Sequence, residues 1–269
     1  MTSIARRTLL ATGLALAAAP AATSVWAAAP QPWIAYDRRL RALLADPPGG
    51  DFDPNFEQTL LDLNNLFRRR EGPEPLAWDD GLARAARAHA ADMAVTETFD
   101  HLTREGYSPA GRVGLLARDL VGAPGENIAM RRNAAGAVQP DQIMGQWRTS
   151  PGHRANLLAP GFTHVGYGVL RQGPRVIAVG AYAEVAARLA GPAPLRVASS
   201  DEIARALSNA VPAIRQFSVS EPGGEVLTTT YVEGRPPSVL ASGAWQLRPH
   251  LSSGEHRYQV AWGPVFVLG

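Results

Sequence analysis

Gly125-Glu126-Asn127-Ile128 lies between Phe99-Asp100-His101 and Trp147-Arg148-Thr149-Ser150-Pro151-Gly152-His153. These three stretches supply one carboxylate and two imidazoles. Each sits beside a turn residue or a predicted helix start. Side chains distant in sequence, each on a locally constrained backbone, suit a shared polar cleft built on a rigid scaffold.

The surrounding pattern gives that scaffold. Asp53-Pro54 pairs a capping acid with proline at a first helical turn. Phe56, Leu60, Leu63 and Phe67 then recur at helical spacing. Arg68-Arg69-Arg70 falls in the last turn, where it complements the helix dipole and is expected to face water. Asp79 and Asp80 cap a second helix whose buried face carries Leu82, Ala85, Ala86, His89 and Met93. Its alanines permit close packing, and His89 reads as a core histidine. Further helices are expected over 34–44, 113–120 and 141–147, with another starting at Ser150-Pro151. Pro124-Gly125 turns the chain into a short strand at 126–130. Apolar runs at 162–170 and 176–183 flank Arg171-Gln172-Gly173-Pro174 and predict a hairpin at the centre of a sheet. Gly191-Pro192-Ala193-Pro194 reads as a linker. Beyond it come a helix carrying Ile203 and Leu207 and strand-like runs at 214–219, 226–232, 244–247, 258–262 and 265–268. Turns are supplied by Gly223-Gly224 and Ser253-Gly254.

The cleft stretches, together with Leu76-Ala77-Trp78-Asp79, Gly111-Arg112-Val113, Arg154-Ala155-Asn156-Leu157-Leu158 and His164-Val165-Gly166-Tyr167-Gly168, carry a family resemblance. From about Phe56 to Ala183 the chain resembles the CAP superfamily (cysteine-rich secretory protein, antigen 5, pathogenesis-related 1) in its bacterial, SCP-like form. The resemblance implies an α+β fold, a three-layer α-β-α sandwich, here followed by a small β-rich C-terminal unit. The implied division is a signal peptide at 1–27, a leader at 28–52, a CAP domain at 53–187 and a β-rich domain at 195–269.

It also implies that His101, Glu126, Ser150 and His153 line the family's cleft, with Asn127 and Trp147 in support. Many members carry a second glutamate three residues after the tryptophan matched by Trp147. Here that position is Ser150, which leaves three members of the usual four. Ser150 precedes proline and is expected to cap the next helix. Arg112 and Arg154 are expected in salt bridges or at the cleft rim.

Two functional classes follow. The resemblance implies a non-catalytic module that binds a small apolar ligand or a cell-envelope component, because relatives include lipid binders, defence proteins and toxins. The rival uses His101, His153 and Glu126 to hold a divalent metal such as zinc, whose bound water would be the nucleophile of a hydrolase or peptidase. The binding module requires no cofactor. A third reading is an extracellular interaction protein whose working surface is the C-terminal unit.

Composition bounds the rest. The chain has 269 residues and no cysteine, which excludes thiol catalysis and cysteine-ligated metals. All 26 basic residues are arginine, against 24 acids. Removal of Arg6 and Arg7 with a signal leaves the two signs equal, which argues against nucleic acid as a partner. Ala5-Arg6-Arg7-Thr8-Leu9-Leu10, the apolar run after it and Val25-Trp26-Ala27 read as a twin-arginine export signal. That apolar run is too short to span a bilayer. The expected location is therefore periplasmic or secreted through the Tat pathway. Replacing Arg6 and Arg7 together with lysine is expected to retain the protein in the cytoplasm, as fractionation and immunoblotting would show. Undiminished export of that variant would overturn the assignment.

Overall fold

The computed structural model describes residues 31–133, 136–227, 231–232, 240–254 and 257–269. The export signal read over 1–27 lies outside the described residues.

In chain order, α1 spans Pro32–Ala45, β1 Asp51–Phe52, α2 Pro54–Glu71, β2 Ala77–Trp78 and α3 Asp80–Thr96. Next come α4 at Pro109–Leu116, β3 at Leu120–Arg132, α5 at Pro140–Thr149 and α6 at Pro151–Leu158. The central hairpin is β4, His164–Gln172, and β5, Arg175–Arg188. Beyond it lie β6 at Arg196–Val197, α7 at Ser200–Ser208, β7 at Gln216–Ser220 and β8 at Tyr231–Val232. The chain closes with β9 at Gly243–Gly254, β10 at Arg257–Val260 and β11 at Val265–Leu268.

Helix starts follow the capping chemistry. Asp53 accepts from Phe56 N at 3.0 Å, and Asp79 accepts from Leu82 N at 2.7 Å. Boundaries differ from expectation in places: β3 runs from Leu120 to Arg132, so Pro124 and Gly125, expected to turn the chain, pair with Ala183 and Tyr182 within the strand, and α4 starts at Pro109, not Val113. Ser108 caps it by accepting from Gly111 N, and proline takes the first helical position. Leu120 opens β3 instead of closing the helix. The capping hydrogen bond expected from the Ser150 hydroxyl is also absent; Ser150 holds the N-cap position of α6 by its backbone carbonyl alone, which accepts from Arg154 N at 2.8 Å.

The first sheet runs β1-β4-β5-β3, with β2 added parallel to β4. Successive strand residues point to opposite faces. Ile177, Val179, Ala181 and Ala183 of β5 pack with α1, α3 and α4. Val176, Ala178 and Tyr182 pack with α2, α5 and α6. The result is the three-layer α-β-α sandwich. Its upper layers sit close because α3 presents alanines to glycines of β4. A Cβ on Gly166 would lie 2.0 Å from Ala83 N, and one on Gly168 2.1 Å from Arg87 N.

The second sheet runs β6-β11-β9-β7-β8, with β10 on β9. It belongs to the same compact unit as the sandwich, Gln31–Gly269. One apolar cluster takes Val121 and Ala187 from the first sheet and Leu207, Phe217, Leu247 and Phe266 from the second region. The linker-like stretch is pinned, since Ala193 N donates to Arg118 O and Arg118 Nε donates to Ala193 O.

Arg68 departs from its expected exposure. It is fully buried. Its guanidinium donates to the carbonyls of Glu74, Leu157, Ala159 and Phe162 at 2.6 to 3.2 Å. Leu157 and Ala159 end α6, so the cation does complement a helix C-terminus, but that of a neighbour. Arg69 and Arg70 keep the solvent. Arg68→Ala would strand these carbonyls and is expected to lower stability by about 3 kcal/mol in urea unfolding. Arg69→Ala should change it by less than about 0.5 kcal/mol. Equal effects of the two would refute the buried role.

Candidate functional site

The site forms along β3, the edge strand of the first sheet. Glu126 pairs with Ala181 of β5 on one side, and its outer carbonyl accepts from Asn156 Nδ2 of α6 at 3.0 Å. Glu126 and Asn127 point to opposite faces. Glu126 turns toward α3 and α4, and Asn127 toward α6.

The Glu126 carboxylate is buried and both its oxygens are used. Oε1 accepts from His101 Nδ1 at 2.9 Å, and Oε2 accepts from Arg112 Nη2 at 2.8 Å. Arg112 is itself buried on α4, and it also donates to His101 O at 2.8 Å and Tyr107 O at 3.1 Å. One guanidinium thus fixes the carboxylate and the loop that carries His101. His89 of α3 lies on the far side of the cluster. Its Nε2 donates to Asp100 O at 3.0 Å and sits 3.7 Å from Glu126 Oε1. With Nδ1 committed to Glu126, His101 keeps Nε2 for a ligand, and its side chain is 45% exposed.

The electrostatics follow from this packing. Burial works to raise the Glu126 pKa, but the Arg112 charge, His89 and the hydrogen bonds from His101 and Arg112 hold it at about 2. The hydrogen bond to Glu126 raises His101 above its ordinary value. Burial, then the Arg112 charge, pushes His89 down to about 4, so it is neutral at neutral pH. His153 is lowered by burial and by the charge of His101.

Asn127 braces the other side as its position suggested. Its Nδ2 donates to His153 O at 3.0 Å and its Oδ1 accepts from Asn156 Nδ2 at 2.9 Å. Trp147 is fully buried and donates from Nε1 to Ile128 O at 3.1 Å, clamping α5 to β3. The structure therefore joins His101 to Glu126 directly. It reaches His153 through Asn127 and through charge. The Ser150 hydroxyl has no hydrogen bond to any of them among the described residues. Arg154 pairs with Glu71 at the surface, at 2.7 Å.

Two site residues exceed the sequence reading. Arg112, given as a salt-bridge or rim residue, is the buried counter-ion. His89, read as core, is indeed buried, but against the carboxylate. A histidine on an otherwise apolar helical face needs a polar partner, and that was the available signal.

A metal fits poorly. Among the described residues no group of three or more His, Cys, Asp or Glu side chains is placed to hold an ion. An ion at Glu126 would have to displace a hydrogen bond from His101 or from the buried Arg112.

Residues 61–182 match the model of the cysteine-rich secretory protein family, CAP. They are a CAP domain. Two relatives come from Bacillus subtilis (strain 168). YkwD, an uncharacterized protein, is 35% identical over 118 residues, which cover 44% of this chain and 44% of the relative. YlbC, an uncharacterized membrane protein, is 34% identical over 116 residues, covering 43% and 32% respectively. The match thus spans less than half the length of either. A crystal structure of an extracellular protein containing a SCP domain, from Bacillus anthracis str. Ames, is 27% identical with a TM-score of 0.42. That likeness covers 49% of this chain and 41% of the other.

The cluster makes stability depend on pH. The lowered Glu126 pKa contributes stability that is full above about 4.3 and is lost as pH falls toward about 2. Neutral burial of His89 contributes stability that is full above about 6.5 and is lost as pH falls toward about 4. The raised His101 pKa acts oppositely: its contribution is full below about 6.5 and is lost as pH rises through the folded value. Glu126→Gln leaves Arg112 uncompensated and is expected to lose about 3–5 kcal/mol. It should also bring the His101 titration, followed by NMR, down toward its ordinary value. An unmoved His101 titration would refute the pairing.

Proposed function

We propose that this CAP-domain protein is exported and holds a small ligand or a cell-envelope component at the His101–Glu126 cleft without converting it. One observation carries the reading: both oxygens of the only carboxylate in the cluster are taken, by His101 and by buried Arg112. A carboxylate held at about 2 is a fixed anion, not a proton carrier near neutral pH. Its work is to orient one imidazole so that Nε2 faces the cleft. The twin-arginine start supports export. No helix among the described residues is long and apolar enough to cross a membrane.

A second reading has support in the same contact. A carboxylate that fixes His101 through Nδ1 leaves Nε2 placed as a general base. That chemistry needs a nucleophile; no protein hydroxyl among the described residues hydrogen-bonds His101 Nε2, so it would fall to water, and the carboxylate beside the imidazole is held as an anion and supplies no acid. Binding is therefore the better supported activity.

The test is co-sedimentation of purified mature protein with isolated cell-wall sacculi and, separately, with phosphatidylglycerol vesicles. His101→Ala, which removes the exposed ligand group but leaves the Arg112–Glu126 pair, should weaken retention on one of them by about tenfold. Chromatography of the incubated material should show no released product. Retention unchanged by the substitution in both arms, or product release, would refute the reading.

A further inference from the structure

The cavity beside His101 and Glu126 has a volume of about 380 Å³, and its far wall comes from outside the CAP domain. On the near side lie His101, Ser108, Pro109 and Pro124; on the far side lie Gly223 and Trp262. We infer that the second sheet is a built wall of this cleft, and that the two walls together bind a sugar ring, packed on Trp262 and hydrogen-bonded by His101. The inference rests on the reading of the cleft as a binding site and names its ligand class.

Two residues of β9 hold the wall. Gln246 and Arg248 are two apart on the strand and so share a face. Gln246 is fully buried. Its Oε1 accepts from Gly223 N at 2.8 Å, while Nε2 donates to Gly263 O at 2.9 Å and to Ala110 O of α4 at 3.0 Å. Arg248 is also buried and donates to Ala261 O at 3.1 Å and Gly224 O at 3.0 Å. Its guanidinium lies 3.6 Å from the centre of the Trp262 ring. Each of these bonds ends on backbone of the wall or of α4. Burying a guanidinium is unfavourable unless its donors find acceptors, and here Nε and Nη1 find them on the two segments that line the cleft.

Two further contacts lock the walls together. Gly122 and Trp262 exchange a pair of backbone hydrogen bonds at 2.9 and 2.8 Å, four residues before Glu126 on β3. Gly223, at φ +79°, packs on the start of α4 so closely that a Cβ would lie 2.2 Å from Ser108 Oγ. The gap between the walls is thus fixed before any ligand arrives.

The lining selects the chemistry. Pro109, Pro124 and the indole of Trp262 offer flat apolar surfaces. Arg248 covers one indole face, so the other face or the edge remains. His101 Nε2 and the Ser108 hydroxyl offer hydrogen bonds. The Glu126 charge is neutralised by buried Arg112, so a cationic ligand finds no free carboxylate among the lining residues. A pyranose ring has an apolar C–H face and a hydroxyl edge, which match these surfaces. An acyl chain would need an apolar channel, whereas this cleft is lined by His101, Ser108 and Glu126 as well as by its prolines and indole.

Chitotetraose titrated into the full mature protein is the probe, read by calorimetry and by the NMR signal of the Trp262 indole N–H. Saturable binding that shifts this signal is expected. Trp262→Ala should weaken binding by about tenfold or more, Trp262→Phe by about threefold, and His101→Ala by about tenfold. The indole signal in the wild type keeps the test valid if Trp262→Ala does not fold. Binding that depends on His101 but leaves Trp262 unmoved would overturn the composite wall and leave the binding cleft standing. Absence of chitotetraose binding, with His101-dependent uptake of oleate instead, would overturn the sugar class alone. Chitotetraose binding indifferent to both residues would overturn the inference and the cleft reading together.

Discussion

The buried ion pair between Arg112 and Glu126 is the constraint on which the site depends. Neither charge could be buried alone without a penalty of several kcal/mol. Together they tie the edge strand β3 to α4, and through the His101 and Tyr107 carbonyls they tie in the loop after α3. The same pair sets the titration of its neighbours. Arg112 helps hold Glu126 ionised and His89 neutral, and the ionised Glu126 raises His101. One interaction therefore fixes the position, the tautomer and the charge preference of the exposed imidazole.

The location of the pair follows from the sandwich. An interior strand has both backbone edges occupied by neighbours. β3 lies at the end of the strand order, so one edge is open to side chains from both helical layers. Asn156 satisfies the Glu126 carbonyl there, and Gly122 takes a backbone partner from the Trp262 segment. Management of a sheet edge, which otherwise invites unwanted pairing, is thus combined with assembly of a cleft. His89 and Arg112 approach from one layer, and Asn156 and His153 from the other.

Buried cations recur in this lysine-free chain. Arg68, Arg112 and Arg248 each place a planar, multi-donor group among backbone carbonyls. Arginine suits that work, because its fork can satisfy several acceptors from one position and it stays charged when buried. In each case the bonds join separate elements: Arg68 reaches across 89 to 94 residues, Arg248 across 13 and 24, and Arg112 ties α4 to β3 and to the loop after α3. With no cysteine to cross-link them, these cations act as the polar fasteners of the fold.

What the sequence determined by itself was local. Asp53-Pro54 and Asp79 mark helix starts because a capping carboxylate and its target N–H lie three residues apart. The hairpin around Gly173 is legible because alternation and turn chemistry are neighbours in the chain. His101, Glu126 and His153, with Asn127 and Trp147, are legible as a site through the family resemblance, because matched motifs carry long-range information that local chemistry does not. Tertiary structure decided what each side chain meets. A run of three arginines looks solvated, yet Arg68 is drawn inward by carbonyls that end another helix. The Ser150 hydroxyl has capping sequence context without the capping bond. The wall of the cleft was invisible, since Gln246 reaches Ala110 across 136 residues and nothing near either residue encodes the meeting. Short-range hydrogen bonds leave a sequence signature. The burial of an ion pair, or of a glutamine against a distant carbonyl, is fixed only when the layers close around it.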